Sequence, residues 1–403
     1  MHNNQDKRPR RHHCMVVHAY YPLGEIRVER EARALIDHGY KVDVICLWAS
    51  GEPAVDTQDG VSIYRLPVQR HKGRGPAVQL LEYLTFFVLA FAKLVALHRQ
   101  RRYSVVQVHN LPDFLVFAAL VPKLTGARLI LDIHDLMPEF YAARFNASLT
   151  SRLVGIVIWQ EQLSCRFADH VITVSEHWRQ ALIKRGVPVH KCSVVMNVAD
   201  QRIFHMPEDS ASCSPDTSKF RLIYHGSIVQ RYGLDLAIQA INRVRHDIPN
   251  IHLTILGKGD YVDVLIQLVQ VLNLSHHVTI YNELRPVREL PAFIRAADLG
   301  IVPYRNDTFT DELLPTKLME YAALGLPAIA ARTTAIEAYF GNTMAELFEP
   351  GDANDLARCI RALYQSPERL AALAQGCRKF NERYNWTKIG PDYVTLVERL
   401  NRS

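Results

Sequence analysis

Residues 311–330 read DELLPTKLMEYAALGLPAIA, a stretch that encodes one helix and the strand after it. Pro315 suits the first turn of a helix, and Gly325 suits its C-terminal end. The apolar run Ala328–Ala330 then has the character of a short buried strand. Helices that alternate with short apolar strands form parallel sheets covered on both faces.

The same alternation fills most of the chain and is interrupted once, in the Pro-, Ser- and Asp-rich stretch Phe204–Lys219, which is typical of a linker. We therefore predict an α/β protein with two Rossmann-like, doubly wound domains, residues 1–205 and 206–384, that face a cleft. Ligands of such sheets bind beyond the carboxyl ends of the strands.

Composition favours an intracellular globular enzyme. The chain has 403 residues, of which 48% are hydrophobic and 22% charged. The seven cysteines have no CxxC spacing, which indicates a reducing, cytoplasmic compartment and no metal or redox motif. No secretory signal peptide is recognised. The polar start of the chain, including His12 and His13, is interpreted as a flexible tail before a first strand at Cys14–Ala19.

The charge is uneven. Residues 1–200 carry a net charge of +7, and residues 201–403 carry −1. This basic first half favours peripheral contact with anionic lipid on the inner face of the membrane, or a phosphorylated acceptor. No basic-aromatic motif predicts nucleic-acid binding. The apolar segment Leu80–Leu97 is interpreted as a buried helix, with lipid contact as the alternative, on the helical spacing of Leu80, Leu84, Phe87, Phe91, Leu94 and Val95.

The helix in the opening stretch has the features of an anion site. Its N-terminus near Thr316 and Lys317 offers unpaired N–H groups and positive dipole, which suit a diphosphate. Glu320 shares a face with Lys317 and could accept hydrogen bonds from a ribose diol, while Glu312 could reach a sugar hydroxyl. The alternative is an ordinary capped helix with an exposed Lys–Glu pair, and spacing alone does not separate the two.

Glu312 and Glu320, with seven residues between them and Tyr-Ala-Ala-Leu-Gly-Leu-Pro after them, resemble the E-x7-E motif of the family 4 retaining glycosyltransferases, which have the GT-B fold. The sequence PTKLMEYAALGLPAIA resembles that of the polysaccharide-synthesis branch of the family, and the resemblance extends over nearly the whole chain. It implies a hexose-type nucleoside-diphosphate sugar donor as substrate, with no separate cofactor, and a lipid-linked glycan acceptor. It also implies that residues 385–403 form a C-terminal helix that returns toward the first domain. Glu320 would bind the donor ribose and Glu312 the transferred sugar. Donor contacts are also assigned to Leu313, Leu314 and Thr316.

A second donor loop reads YHGSIVQRYGLD over residues 224–235. The family usually has an Arg and, five residues on, a Lys here, but this chain has Ser227 and Tyr232. We expect Arg231 and Lys317 to supply the positive charge instead, although Arg231 could be a surface residue. Gly226 and Ser227 are expected to border the donor.

Two further loops lie near the nucleotide base by the same resemblance. Gly257 and Gly259 form a Gly-x-Gly turn after a strand, which could admit a ligand or could be a structural turn. Leu284 lies in the loop YNELR at 281–285, whose backbone could read the base edge.

In the first domain, His134 and Asp135 follow the predicted strand Arg128–Ile133 and so lie at a ligand-binding edge. The resemblance implies that His134 hydrogen-bonds a sugar hydroxyl; a loop histidine without this role is the alternative. His109, one strand earlier, is assigned to the acceptor side. Gly24 and Glu25 precede a helix whose N-terminus could hold an acceptor phosphate.

No metal site is predicted, because the histidines lack ligand spacing. Two other functions stay open at this point: a sugar-nucleotide 2-epimerase, which shares the two-domain architecture, and a non-catalytic glycosyltransferase-like scaffold. The spacing of the two glutamates disfavours the epimerase, and the presence of both disfavours the scaffold.

Overall fold

The computed structural model describes residues 11–22, 25–70, 75–205 and 219–402. Gly24, residues 1–10 and most of the predicted linker therefore lie outside the described residues. The chain divides into two compact units, one comprising the residues up to Asn197 together with those from Thr387 on, and the other running from Val198 to Trp386.

The first unit is built on an eight-stranded sheet in the order β3-β4-β2-β1-β5-β6-β7-β8. The strands are β1 (His12–Tyr20), β2 (Lys41–Leu47), β3 (Val55–Gln58), β4 (Val61–Leu66), β5 (Val105–His109), β6 (Arg128–Ile133), β7 (His170–Thr173) and β8 (Cys192–Val194). All neighbours are parallel except the β3–β4 hairpin. The helices are α1 (Ile26–Asp37), α2 (Pro76–Arg101), α3 (Leu120–Leu124), α4 (Met137–Phe145), α5 (Arg152–Phe167) and α6 (Glu176–Lys184), with 3₁₀ helices at Asp113–Ala119 and Val189–Lys191.

The handedness of the strand connections determines on which of the two faces of the sheet each helix lies. Parallel strands joined by a crossover are almost always connected right-handedly. The crossovers through α2, α3 and α5 all advance toward β8, whereas the crossover through α1 advances toward β3, so α1 lies on the opposite face.

The start of β1 corrects one prediction. His12 and His13 are not a flexible tail, because they pair with Lys41 and Val42 of β2 as the first residues of the strand. His13 is fully buried, and burial lowers the pKa of its imidazole to about 3. A neutral imidazole can be buried inside a sheet. The prediction of a flexible tail treated both histidines as polar residues that stay in solvent.

The helix α2 is long and apolar enough to cross a membrane by length and composition, although a third of its most apolar window is buried in the unit. Phe86, Ala90 and Leu94 are fully buried. The predicted helix is present, but the predicted inner face is shifted, because Leu80 and Leu84 are exposed.

The second unit has a six-stranded, wholly parallel sheet in the order β11-β10-β9-β12-β13-β14. Its strands are β9 (Phe220–His225), β10 (Ile251–Leu256), β11 (Val278–Tyr281), β12 (Leu299–Val302), β13 (Ala328–Ala331) and β14 (Ala345–Phe348). Its helices are α7 (Leu234–Val244), α8 (Val262–Val271), α9 (Leu290–Arg295), α10 (Thr316–Ala323), α11 (Thr334–Tyr339), α12 (Gly341–Met344), α13 (Ala353–Gln365) and α14 (Pro367–Arg383). The strand order reverses between β9 and β12, so the loops after these two strands diverge and leave a crevice.

The last helix, α15 (Trp386–Arg402), belongs to the first unit. The hydroxyl of its buried Tyr393 donates to Gln107 Oε1 on β5 at 2.7 Å, and Gln107 Nε2 donates to Glu31 of α1 at 2.7 Å. Two doubly wound α/β units and a C-terminal helix that returns to the first are therefore confirmed.

Candidate active site

A polar site in the second unit lies at the crevice between the loops after β9 and β12. The loop after β9 holds Gly226 and Ser227, and α10 begins at Thr316 after the long loop that follows β12. Pro315 is the residue before α10, as the opening stretch suggests for a helix start. The free N–H groups of this helix therefore lie at a position where doubly wound sheets bind ligands.

Lys317 is buried inside a group of aromatic rings that we call the tyrosine cage, made of Tyr224, Tyr232 and Tyr304. Its Nζ lies 5.0, 5.2 and 4.9 Å from the three ring centroids. Nζ also donates to the Tyr304 hydroxyl at 2.6 Å, and the rings of Tyr232 and Tyr304 stack at 4.4 Å. Cation–π contacts and one hydrogen bond thus hold the ammonium in the cage.

Burial lowers the pKa of Lys317 to about 8, with Glu320 partly opposing the shift. A buried cation with this pKa gains strongly from an incoming anion. Its side chain also reaches the donor loop, because a Cβ built on Gly226 would lie 3.7 Å from Nζ. The structure therefore brings Lys317, Gly226 and Ser227 together, with the Ser227 carbonyl held by the Tyr224 hydroxyl at 2.6 Å.

Glu320 faces a histidine that the sequence interpretation missed. His225 is the last residue of β9, and its Nε2 lies 3.1 Å from Glu320 Oε2. Burial and then Lys317 lower the pKa of His225 to about 3, so the imidazole beside Glu320 is neutral. The sequence does contain a signal for His225: it lies at the end of a strand, directly before the Gly226 turn, where ligands of such sheets bind.

The other donor-loop cation has different partners. The guanidinium of Arg231 packs over the Phe309 ring at 5.7 Å, and its Nη1 is 4.0 Å from Asp307. Tyr232, rather than Arg231, contributes to the tyrosine cage. A role for Arg231 on a phosphate thus remains a prediction, with part of its charge already balanced by Asp307.

The remaining donor residues lie around the start of α10. Glu312 and Leu313 are half-buried in the loop before the helix, Leu314 is buried, and Thr316 is exposed in the first turn. Their contacts with a donor remain predictions.

The Gly-x-Gly turn packs against the Gly226 loop. A Cβ on Gly257 would lie 1.8 Å from the Gly226 carbonyl oxygen, and one on Gly259 would lie 1.8 Å from that of Ile228. Gly226 N donates to Leu256 O at 2.9 Å. Loop-to-loop packing alone therefore accounts for both glycines, and base contact by them or by the exposed Leu284 remains a prediction.

In the first unit, His109 and His134 converge on Asp132 of β6. Nδ1 of His109 and Nε2 of His134 lie 3.0 and 3.2 Å from Asp132 Oδ2 and 3.1 Å from each other. The guanidinium of Arg27, from α1, donates to both oxygens of Asp132 at 2.9 Å. Although burial opposes it, Arg27 and His134 hold the pKa of Asp132 well below its ordinary value. Asp132 is thus a fixed carboxylate that orients both imidazoles.

His134 is the member of this cluster that reaches solvent, with a side chain that is 20% exposed. Its Nε2 is turned inward onto Asp132, which leaves Nδ1 for a ligand. The backbone amide of His134 donates to Asn110 Oδ1 at 2.7 Å, and Asn110 Nδ2 donates to the Asp135 carbonyl at 2.7 Å. Burial raises the pKa of Asp135 to about 6, partly offset by His134. Glu25 stands at the N-terminal end of α1.

His109, Asp132 and His134 form, among the described residues, a group whose ligand atoms lie close enough to hold a metal ion. Arg27 already balances the charge of Asp132, and the separations near 3 Å are those of hydrogen bonds. The absence of a metal ion at this cluster remains a prediction.

Two family models match this chain, one over the first half and one over the second half. Residues 24–197 match the model of a glycosyl transferase 4-like domain, and residues 206–380 match that of glycosyl transferases group 1. A chitobiosyldiphosphodolichol beta-mannosyltransferase of Debaryomyces hansenii is 24% identical over 86% of this chain and 80% of its own length. An amylovoran biosynthesis glycosyltransferase, AmsK, of Erwinia amylovora is 25% identical over 57% of this chain and 56% of its own.

Solved structures share the fold. A sucrose-phosphate synthase from Thermosynechococcus elongatus superposes with a TM-score of 0.78 at 19% identity, covering 97% of this chain and 99% of that one. Anabaena Alr3699/HepE, in complex with UDP-glucose, gives a TM-score of 0.72 at 17% identity, covering 96% and 99%.

Proposed function

We propose that this chain, which belongs to the family 4 glycosyltransferases of glycan biosynthesis and has their GT-B fold, moves a hexose-type sugar from a nucleoside diphosphate to a lipid-linked glycan with retention of configuration. The observation that carries the donor assignment is Lys317 in the tyrosine cage, beneath the Gly226 loop and on the helix that bears Glu320. The UDP-glucose complex of the similar Anabaena protein is consistent with a nucleoside-diphosphate sugar as donor.

On the donor side, Lys317 and the N-terminus of α10 bind the diphosphate. Glu320, positioned by His225, accepts hydrogen bonds from the ribose hydroxyls, and Glu312 contacts the transferred sugar. As the bond between the sugar C1 and the diphosphate oxygen breaks, its electron pair passes to the diphosphate. A preorganised ammonium and helix dipole stabilise that developing charge without metal.

The acceptor hydroxyl forms the new bond to C1 on the face from which the diphosphate departs, and its proton passes to the leaving diphosphate. No enzymic nucleophile is required. His134, held by Asp132, hydrogen-bonds a sugar hydroxyl through Nδ1, while His109, Asp135 and Glu25 belong to the acceptor side. The dolichol named in the Debaryomyces relative and the basic first half of this chain support a lipid-linked acceptor reached from the cytoplasmic side of a membrane.

Release of nucleoside diphosphate from a panel of UDP-, GDP- and ADP-sugars tests this proposal. Glu320→Gln should lower donor kcat/KM by about 10- to 100-fold, the equivalent of one or two charge-assisted hydrogen bonds. Glu337→Gln, which alters an exposed glutamate on α11, is the matched control. Conversion of the donor to another sugar nucleotide without diphosphate release would establish an epimerase. Donor binding without turnover across the panel and its acceptors would establish a scaffold.

A further inference from the structure

Arg305 lies in the loop after β12, directly after the cage residue Tyr304, and it bonds to the segment that joins β9 to α7. Its Nη1 donates to the Gln230 carbonyl and to Asp235 Oδ1 at 2.8 Å each, and its Nη2 donates to Asp235 Oδ2 at 2.6 Å. Its backbone amide donates to the Arg231 carbonyl at 3.0 Å. We call this set of contacts the loop clamp.

The loop clamp brackets Tyr232, the cage residue on the other segment. Gln230 and Arg231 precede Tyr232 in the same 3₁₀ turn, and Asp235 follows it in the first turn of α7. The ring of Tyr232 stacks on that of Tyr304 with an angle of 16° between the two planes. The clamp therefore fastens together the two segments that carry the stacked rings of the tyrosine cage.

The charge of Arg305 is already balanced by Asp235. The side chain of Arg305 is 33% exposed and that of Asp235 is 12% exposed, so the pair is partly shielded from water. A guanidinium that holds both oxygens of one carboxylate is fixed in orientation as well as in charge. These contacts favour a role in holding the two loops over a direct contact between Arg305 and a phosphate.

We propose that Arg305 is a positioning residue of the donor site, which holds Tyr232 against Tyr304 and so keeps the tyrosine cage closed around Lys317. The Lys317 ammonium is held by the rings and by the Tyr304 hydroxyl at 2.6 Å, so its position depends on where the rings lie. A closed cage fixes the cation before a diphosphate arrives, which reduces the entropic cost of binding. The inference rests on the proposed function, in which Lys317 binds the donor diphosphate.

The cage also controls how much water reaches Lys317. Burial is the main cause of the lowered pKa of Lys317, and Glu320 opposes it. Opening the cage would hydrate the ammonium, so the pKa of Lys317 should rise toward its ordinary value. The structure places these titratable side chains around Lys317: Glu320 on its own helix, Tyr224 and His225 of β9, Tyr232, and Tyr304.

The first test is the pKa of Lys317 in the full chain without ligand, measured by NMR titration of isotope-labelled lysine, with Lys317→Arg to assign the resonance. Arg305→Gln should raise this pKa by about one pH unit. Asp235→Ala should raise it as well, although the loss of a negative charge would by itself lower it. An unchanged pKa in both variants, or a lower pKa in Asp235→Ala, would overturn the proposal.

Arg369→Gln is the matched control. Arg369, on α14, also bonds to a carboxylate, that of Glu346 at 3.0 Å, and to a backbone carbonyl, that of Asn342 at 2.9 Å. Its side chain is 39% exposed, close to the exposure of Arg305. This variant should lose a similar amount of unfolding free energy in urea and should keep the wild-type pKa of Lys317. Equal pKa shifts in the two arginine variants would show a general loss of structure and would overturn the proposal.

The second test is calorimetric titration with UDP, GDP and ADP at neutral pH. Arg305→Gln should weaken the tightest of them about fivefold in the wild-type background and less than about twofold in Lys317→Met, whose cage holds no ammonium. Equal losses in the two backgrounds, or no loss in the wild-type background, would overturn this inference alone. An unchanged affinity in Lys317→Met by itself would contradict the proposed function and the inference with it.

Discussion

Lys317 is an ammonium group whose charge depends on pH near neutrality. Burial lowers its pKa to about 8 in the free protein, so it is charged below that pH and neutral above it. Its place on the donor helix could be predicted from the sequence. Its cage could not, because Tyr304 follows a different strand from the segment that holds Tyr224 and Tyr232, and the sequence pattern does not show which rings meet.

Donor kcat/KM should therefore fall above about pH 8, approaching tenfold per pH unit, because the neutral amine no longer attracts the diphosphate. The profile is measured between about pH 6 and pH 10. Lys317→Arg, whose guanidinium stays charged throughout, should lose this alkaline limb. An unchanged limb in that variant would assign the titration to another group.

His225→Phe should raise the donor KM about tenfold with a smaller change in kcat, because Glu320 loses the neutral imidazole 3.1 Å away that positions it. His252→Phe is the control, since this half-buried histidine of β10 contacts Thr279 at 3.0 Å instead. Equal donor kinetics in the two variants would remove His225 from the site.

Among the secondary-structure elements, the turn from β9 into α7 depends on Gly233. Its φ is 64°, and a Cβ there would lie 1.9 Å from the Pro303 carbonyl oxygen, in the loop after β12. Gly325 has almost the same φ, 66°, but a Cβ there would meet no atom within 4 Å. Alanine at Gly325 would therefore introduce backbone strain alone, whereas alanine at Gly233 would introduce both backbone strain and steric overlap.

Gly325→Ala should cost about 1 kcal/mol of unfolding free energy through strain alone. Gly233→Ala should cost about 2 kcal/mol more, because the loops after β9 and β12 must separate. Urea unfolding measures both. Equal losses would show that the two loops yield to a methyl group without cost.

An apolar run in the sequence predicts a strand only where a face of that strand is buried. The hairpin strand β3, with sequence VDTQ, is mostly exposed, so it has no apolar run to recognise. The segment after β5 is not one continuous helix, because a 3₁₀ helix at Asp113–Ala119 is followed by α3. Pro122 lacks the amide that an α-helix would pair with residue 118, which accounts for the break.

For the whole molecule, periodicity predicts two doubly wound units and the family resemblance implies the returning helix, but neither predicts the side of α2 that faces water. This helix is apolar nearly all round, so helical spacing is compatible with more than one inner face. Burial of Phe86, Ala90 and Leu94 selects the face that packs on the sheet and leaves Leu81 and Val88 exposed. Side-chain packing decides this choice.

The claim that Lys317 in the tyrosine cage binds the donor diphosphate is tested most directly by calorimetric titration of wild type and Lys317→Met with a nucleoside diphosphate and with the same nucleoside lacking phosphate. The diphosphate affinity should fall about 10- to 100-fold in the variant, corresponding to loss of a charged hydrogen bond of about 1.5–3 kcal/mol, while nucleoside affinity stays within about twofold. Equal diphosphate affinity in the two proteins would contradict the account.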